Sequence, residues 1–69
     1  MNLAGGFSIV RSRYNIKTID MAKSTGKSIR SIQNIMAQGA NPTIDSIMIC
    51  CDAIGCTFEE LAVEAQKCR

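Results

Sequence analysis

The chain has no histidine, no tryptophan and a single proline. Without histidine it has no imidazole to act as a general base at neutral pH, and the commonest metal ligand is missing. One proline, Pro42, leaves long stretches free to stay helical. No apolar run approaches the roughly 20 residues that span a bilayer as a helix. The longest, Ile47-Met48-Ile49-Cys50-Cys51, has the length of a core segment. The first ten residues carry no basic side chain and no long apolar stretch. No signal peptide is therefore expected, and the expectation is a cytoplasmic protein without a membrane partner.

Cysteine is present but in the wrong pattern for a scaffold. Cys50, Cys51, Cys56 and Cys68 all fall in the last third, so disulfides would leave the first two thirds unstapled. No Cys-x-x-Cys pair occurs, and zinc would find no histidine. The thiols read as small buried hydrophobes in the reduced state. Neither a metal nor a cofactor is expected, and with no carboxylates paired in a cleft the chain does not read as an enzyme.

At 69 residues the chain is one domain, residues 1–69, with a core expected over about 7–66. A domain of this size buries only about 60% of the surface of its unfolded chain. Hydrophobic residues make up 46%, too many for a disordered segment. Charge is divided along the chain. Residues 7–42 carry Arg11, Arg13, Lys17, Lys23, Lys27 and Arg30 against Asp20 alone. Residues 43–69 carry Lys67 and Arg69 against Asp45, Asp52, Glu59, Glu60 and Glu64. A basic front and an acidic back suit a protein that meets a polyanion with one face.

Glycine and asparagine punctuate the chain into five pieces, each reading better as helix than as strand. They cover about residues 7–14, 17–25, 29–37, 44–54 and 58 onward, with Gly5-Gly6 read as a break before the first. Gly26 and Gly55 stand where a left-handed residue would close a helix. Ser28, Thr43 and Thr57 stand where a hydroxyl would cap the next one, and Thr57 with Glu60 has the spacing of a reciprocal capping box. Phe58, Leu61, Ala62, Ala65 and Cys68 share an inward face of the last piece. The reading is all-α, a compact five-helix bundle.

The stretch Ser24-Thr25-Gly26-Lys27-Ser28 ends like a phosphate-binding loop. That loop needs a glycine five residues before Gly26 and a preceding strand. Met21 occupies the position and no strand precedes it, so a nucleotide-binding enzyme is rejected. The same residues serve better as the bend between two helices: Ala22 allows close approach, Gly26 turns the chain, and Ile32 and Ile35 return to the core.

Taken with Val10-Arg11, Met21-Ala22, Asn41-Pro42-Thr43, Ile44-Asp45-Ser46-Ile47, Ala53-Ile54-Gly55 and Glu60-Leu61, these positions resemble the Cro/phage-repressor type (XRE-like) helix–turn–helix family. The resemblance spans about residues 7–61 and implies a lambda-repressor-like bundle that binds DNA. Four positions depart from the pattern. Lys27 stands where Val or Ile is usual, Lys17 replaces a Ser/Thr cap, and Gly39 arrives one place late. Met36 stands where an acidic partner for Arg11 is common, which leaves Arg11 unpaired or free for a phosphate.

On the third helix Ile32, Ile35 and Met36 mark the core side, while Arg30, Asn34 and Ala37 lie opposite and Gln33 and Ile29 lie on the margins. Arg pairs bidentately with guanine, Asn and Gln pair with adenine, and Ile can touch a thymine methyl. Ile29, Arg30, Gln33 and Asn34 are thus the expected base readers in the major groove of double-stranded DNA. Lys17 and Thr18 open the second helix, whose free amides favour an anion, and with Lys27, Ser28 and Asn41 they are the expected phosphate contacts. Lys23 and Arg13 read as solubilising charges, and Asp20 and the C-terminal acids as surface groups. Ile49 and Val63 fall on outward faces and mark a dimer or partner contact. A homodimer is expected because one small domain reads only a few base pairs. No small-molecule effector is expected. The implied role is a transcriptional regulator, as a repressor, of bacterial, phage or mobile-element origin. The alternative is a protein-binding adaptor of antitoxin or antirepressor type, built on the same bundle.

Overall fold

Five helices follow one another in the structure, a computed structural model that describes residues 1–68: α1 Leu3–Tyr14, α2 Thr18–Thr25, α3 Ile29–Met36, α4 Ile44–Ile54 and α5 Phe58–Lys67. Among the described residues there is no strand, and the five helices form an all-α bundle. The ends fall where local chemistry puts them. Ser28, Thr43 and Thr57 cap α3, α4 and α5, their hydroxyl oxygens accepting from the amides of Ser31, Ser46 and Glu60. Gly26 and Gly55 close α2 and α4 in the left-handed region, at φ 76° and 93°.

Four expectations need correction. The helix expected from Phe7 begins at Leu3, with Gly5 and Gly6 inside it. The Asn2 carboxamide caps its first turn, Oδ1 accepting from Gly5 N–H at 3.0 Å, and the Asn2 amide donates to the Ala65 carbonyl at 2.9 Å. A β-carbon on Gly6 would lie 3.0 Å from backbone atoms of Ala65. This glycine permits the close approach of α1 to α5, the most extensive helix pair, rather than a break. The packed region therefore starts before Phe7, and Leu3 rests against the core.

The capping box of α5 is only half formed. Thr57 caps as expected, but the Glu60 carboxylate accepts from Arg13 and Tyr14 instead. A charge-assisted bond to guanidinium is stronger than one to a neutral amide. The inward face of α5 is also shifted: Phe58 stands 38% exposed on its flank, while Glu64 is buried. Glu64 tolerates burial because Arg13 donates to it at 2.8 Å. Last, α3 ends at Met36, and Ala37 is already extended.

Phe7 and Val10 of α1, Met21 of α2, Ile32 of α3 and Leu61 of α5 are buried together under α4 residues. Each such side chain contributes about 1.5–3 kcal/mol through removal from water. Cys50, Cys51 and Cys56 belong to this core as free thiols. Burial pushes all three up from the ordinary thiol range, Cys51 to about 12. They are poor nucleophiles in the folded state, as apolar filling should be.

Candidate functional site

The joint between α2 and α3 is three residues, Gly26 to Ser28, and is tightly bonded. The Thr25 hydroxyl donates to the Met21 carbonyl at 2.8 Å and accepts from the Lys27 amide at 3.2 Å. Gly26 N–H donates to the Ala22 carbonyl at 3.0 Å. The turn needs the left-handed conformation at Gly26, where a β-carbon would be strained although space is open around it.

Beyond the turn, α3 is fixed by one face. Ile32 is fully buried, and Ile35 and Met36 pack partly against the core. Ile29, Arg30, Ser31, Gln33 and Asn34 are exposed, Ile29 by 41%. The side chains of Arg30, Gln33 and Asn34 make no hydrogen bond or ion pair among the described residues. Their donors and acceptors are free to pair with another molecule. Ser31 shares this face and was not singled out from sequence, but its hydroxyl is already engaged by Ser28 at 3.0 Å.

The flanking residues divide. Lys17, Lys27, Ser28 and Asn41 are exposed. The Lys27 charge offsets only part of the upward push that burial gives the Cys50 thiol. Ser28 spends its oxygen on capping α3. At the start of α2 the expected amide site is partly filled. Asp20, read from sequence as a plain surface group, accepts from the Lys17 amide at 3.0 Å through Oδ2. Thr18 is half-buried, its hydroxyl accepting from Arg11 Nη1 at 3.3 Å. The capping signal was legible, since an acid three residues into a helix serves this role.

Arg13 is not a free charge either. It donates to Glu60 and Glu64 at 2.8 Å each, while Tyr14 Oη donates to Glu60 at 2.6 Å. These bonds hold the Glu60 and Glu64 carboxyls below their ordinary range and raise Tyr14 above its own. One of the six front cations thus closes α1 onto α5. The cations left exposed on α2, its turn and α3 are Lys17, Lys23, Lys27 and Arg30.

Ile49 is exposed beside Ser24, Thr25, Asp52 and Ala53, in a shallow groove between α2 and α4. Val63 is exposed on α5 and does not line that groove. Among the described residues no helix is long and apolar enough to cross a membrane, and no group of three or more cysteines and carboxylates is placed to hold a metal ion. No protein-family model, no curated protein and no solved structure matches the chain.

Proposed function

We propose that the chain is a sequence-specific binder of double-stranded DNA of the helix–turn–helix kind, acting as a small transcriptional regulator that occupies an operator and represses. The observation that supports this most is the state of α3. It is pinned by Ile32 beyond a glycine turn, and it turns Arg30, Gln33 and Asn34 outward without internal partners. The major groove is about 12 Å wide and admits an α-helix. In this reading Arg30, Gln33 and Asn34 meet base edges, Ile29 meets a thymine methyl, and Lys17, Lys27 and Asn41 flank them on phosphates. The function is binding, with no catalytic step, and a homodimer doubles the sequence read.

A second reading, a protein-binding adaptor, draws on the exposed Ile49 and Val63. The free polar face of α3 and the cations around it favour DNA. Selection of bound sites from a random duplex pool tests the proposal. Enrichment of a short motif is expected, paired at about one helical turn if two copies bind. Binding should weaken steeply with salt, by a slope of about −0.9 per phosphate contact. No enrichment and no salt dependence would contradict it and leave the adaptor reading.

A further inference from the structure

Two arginines stand two residues apart on α1, and only one is satisfied. Arg13 is bonded to two carboxylates. Arg11 takes part in none of the ion pairs among the described residues. Its Nη1 reaches only the Thr18 hydroxyl, at 3.3 Å. That is longer than the usual N–H···O range of about 2.7–3.2 Å. Its Nε is buried and has no hydrogen-bond partner. A guanidinium that is partly withdrawn from water, with an orphaned donor and no counter-charge, is costly. An anion meeting the part of the guanidinium that lines the surface would offset that cost.

The surroundings fit one. Arg11 lines an open cleft of about 240 Å³ with Ser8, Ser12, Asn15 and Ile16. Two hydroxyls and a carboxamide face the guanidinium's cleft, and Asp20, the nearest acid in the sequence, is engaged by the Lys17 amide. The backbone here is set. Ile16 N–H donates to the Arg11 carbonyl at 2.9 Å, and Asn15 adopts the left-handed conformation that turns the chain into α2. Ser12 and Asn15 are therefore held on the same side as Arg11.

We propose that Arg11 is the centre of an oxyanion site, completed by Ser8, Ser12 and Asn15, that takes a phosphate group. A guanidinium presents parallel N–H donors that match two phosphate oxygens, and the neighbouring hydroxyls and amide supply further donors. The source is either a phosphodiester of DNA lying along α2 and α3, which rests on the function proposed above, or a free phosphate.

The test uses the full chain, 15N-labelled, in buffer free of phosphate and sulfate. Sodium phosphate is titrated in, with sodium chloride at matched ionic strength as reference. The expected result is a saturable shift of the Arg11 Nε–Hε signal and of the Ser8, Ser12 and Asn15 amides, abolished in Arg11→Gln. If Arg11→Gln does not fold, Arg11→Lys keeps the charge, loses the fork and should bind phosphate at least about fivefold more weakly. Phosphate shifts no different from chloride, or saturation centred on Lys23, Lys27 or Arg30, would overturn the site. With duplex DNA, Arg11→Gln should reduce the salt slope by about 0.9 without changing the preferred sequence. A saturable phosphate response with no duplex binding supports the site with free phosphate as its ligand and ends the DNA reading. Duplex binding with an unchanged slope and no phosphate response at Arg11 ends the site and leaves the DNA reading standing.

Discussion

Arg13 ties α1 to α5 through Glu60 and Glu64, and the pairing has a pH signature. The bonds from Tyr14 and Arg13 hold Glu60 low, and the bond from Arg13 holds Glu64 low. A carboxyl whose folded value is depressed stabilises fully above its unfolded value, about 4.3 for Glu, and loses that contribution as pH falls through the folded one. The bond to Glu60 raises Tyr14, so its contribution is full below about 10 and is lost as pH rises through the folded value. Thermal unfolding should show Tm falling below about pH 5 and again above about pH 10. Arg13→Ala should lower Tm at neutral pH and flatten the acid limb, since Glu64 then has little left to lose. An acid limb unchanged in Arg13→Ala would contradict the pairing. None of this was legible in the sequence, where Arg13 reads as one more surface cation. Its partners lie 47 and 51 residues away, beyond any local pattern. The outward polar face of α3 was legible because helical period alone separates Arg30, Gln33 and Asn34 from Ile32.

At the level of elements, α2 to α5 could be read to within a residue or two, because caps and left-handed glycines mark their ends. The start of α1 could not. A Gly-Gly pair signals a turn as readily as a close approach, and only the partner decides. Here the partner is Ala65, on a helix some sixty residues along. Gly6→Ala should therefore cost about 1–3 kcal/mol, the usual penalty of overpacking, because the atoms it meets are Ala65 backbone. Gly5→Ala meets chiefly the Cys68 side chain, with Sγ at 2.9 Å, and gains up to about 1 kcal/mol in helix propensity. It should be much the milder of the two. Chemical denaturation of both variants checks this, and equal losses would contradict the account of α1 and α5.

Across the molecule, the division into a basic front and an acidic back is less complete than the sequence suggests, because Arg13 crosses between them. What remains is a concentration of exposed cations on α2, its turn and α3, with Asp20 spent on capping. This places the charge beside the free polar face of α3, where a DNA binder needs it. The sequence showed the fold because five short amphipathic pieces allow few other packings. It showed the candidate face and an Arg11 without its acidic partner, but not the burial of Arg11 Nε, which depends on how α1 meets α2.

The claim that α3 reads base pairs is tested most directly by the affinity ratio between a selected duplex and a scrambled one, measured at one salt concentration for the wild type, Arg30→Ala and Lys17→Ala. Arg30→Ala should shrink the ratio by about 5- to 150-fold, the equivalent of one lost bidentate contact of about 1–3 kcal/mol. Lys17→Ala should weaken both duplexes alike and leave the ratio intact. A ratio that survives Arg30→Ala unchanged, in a variant that folds as the wild type does, would contradict it.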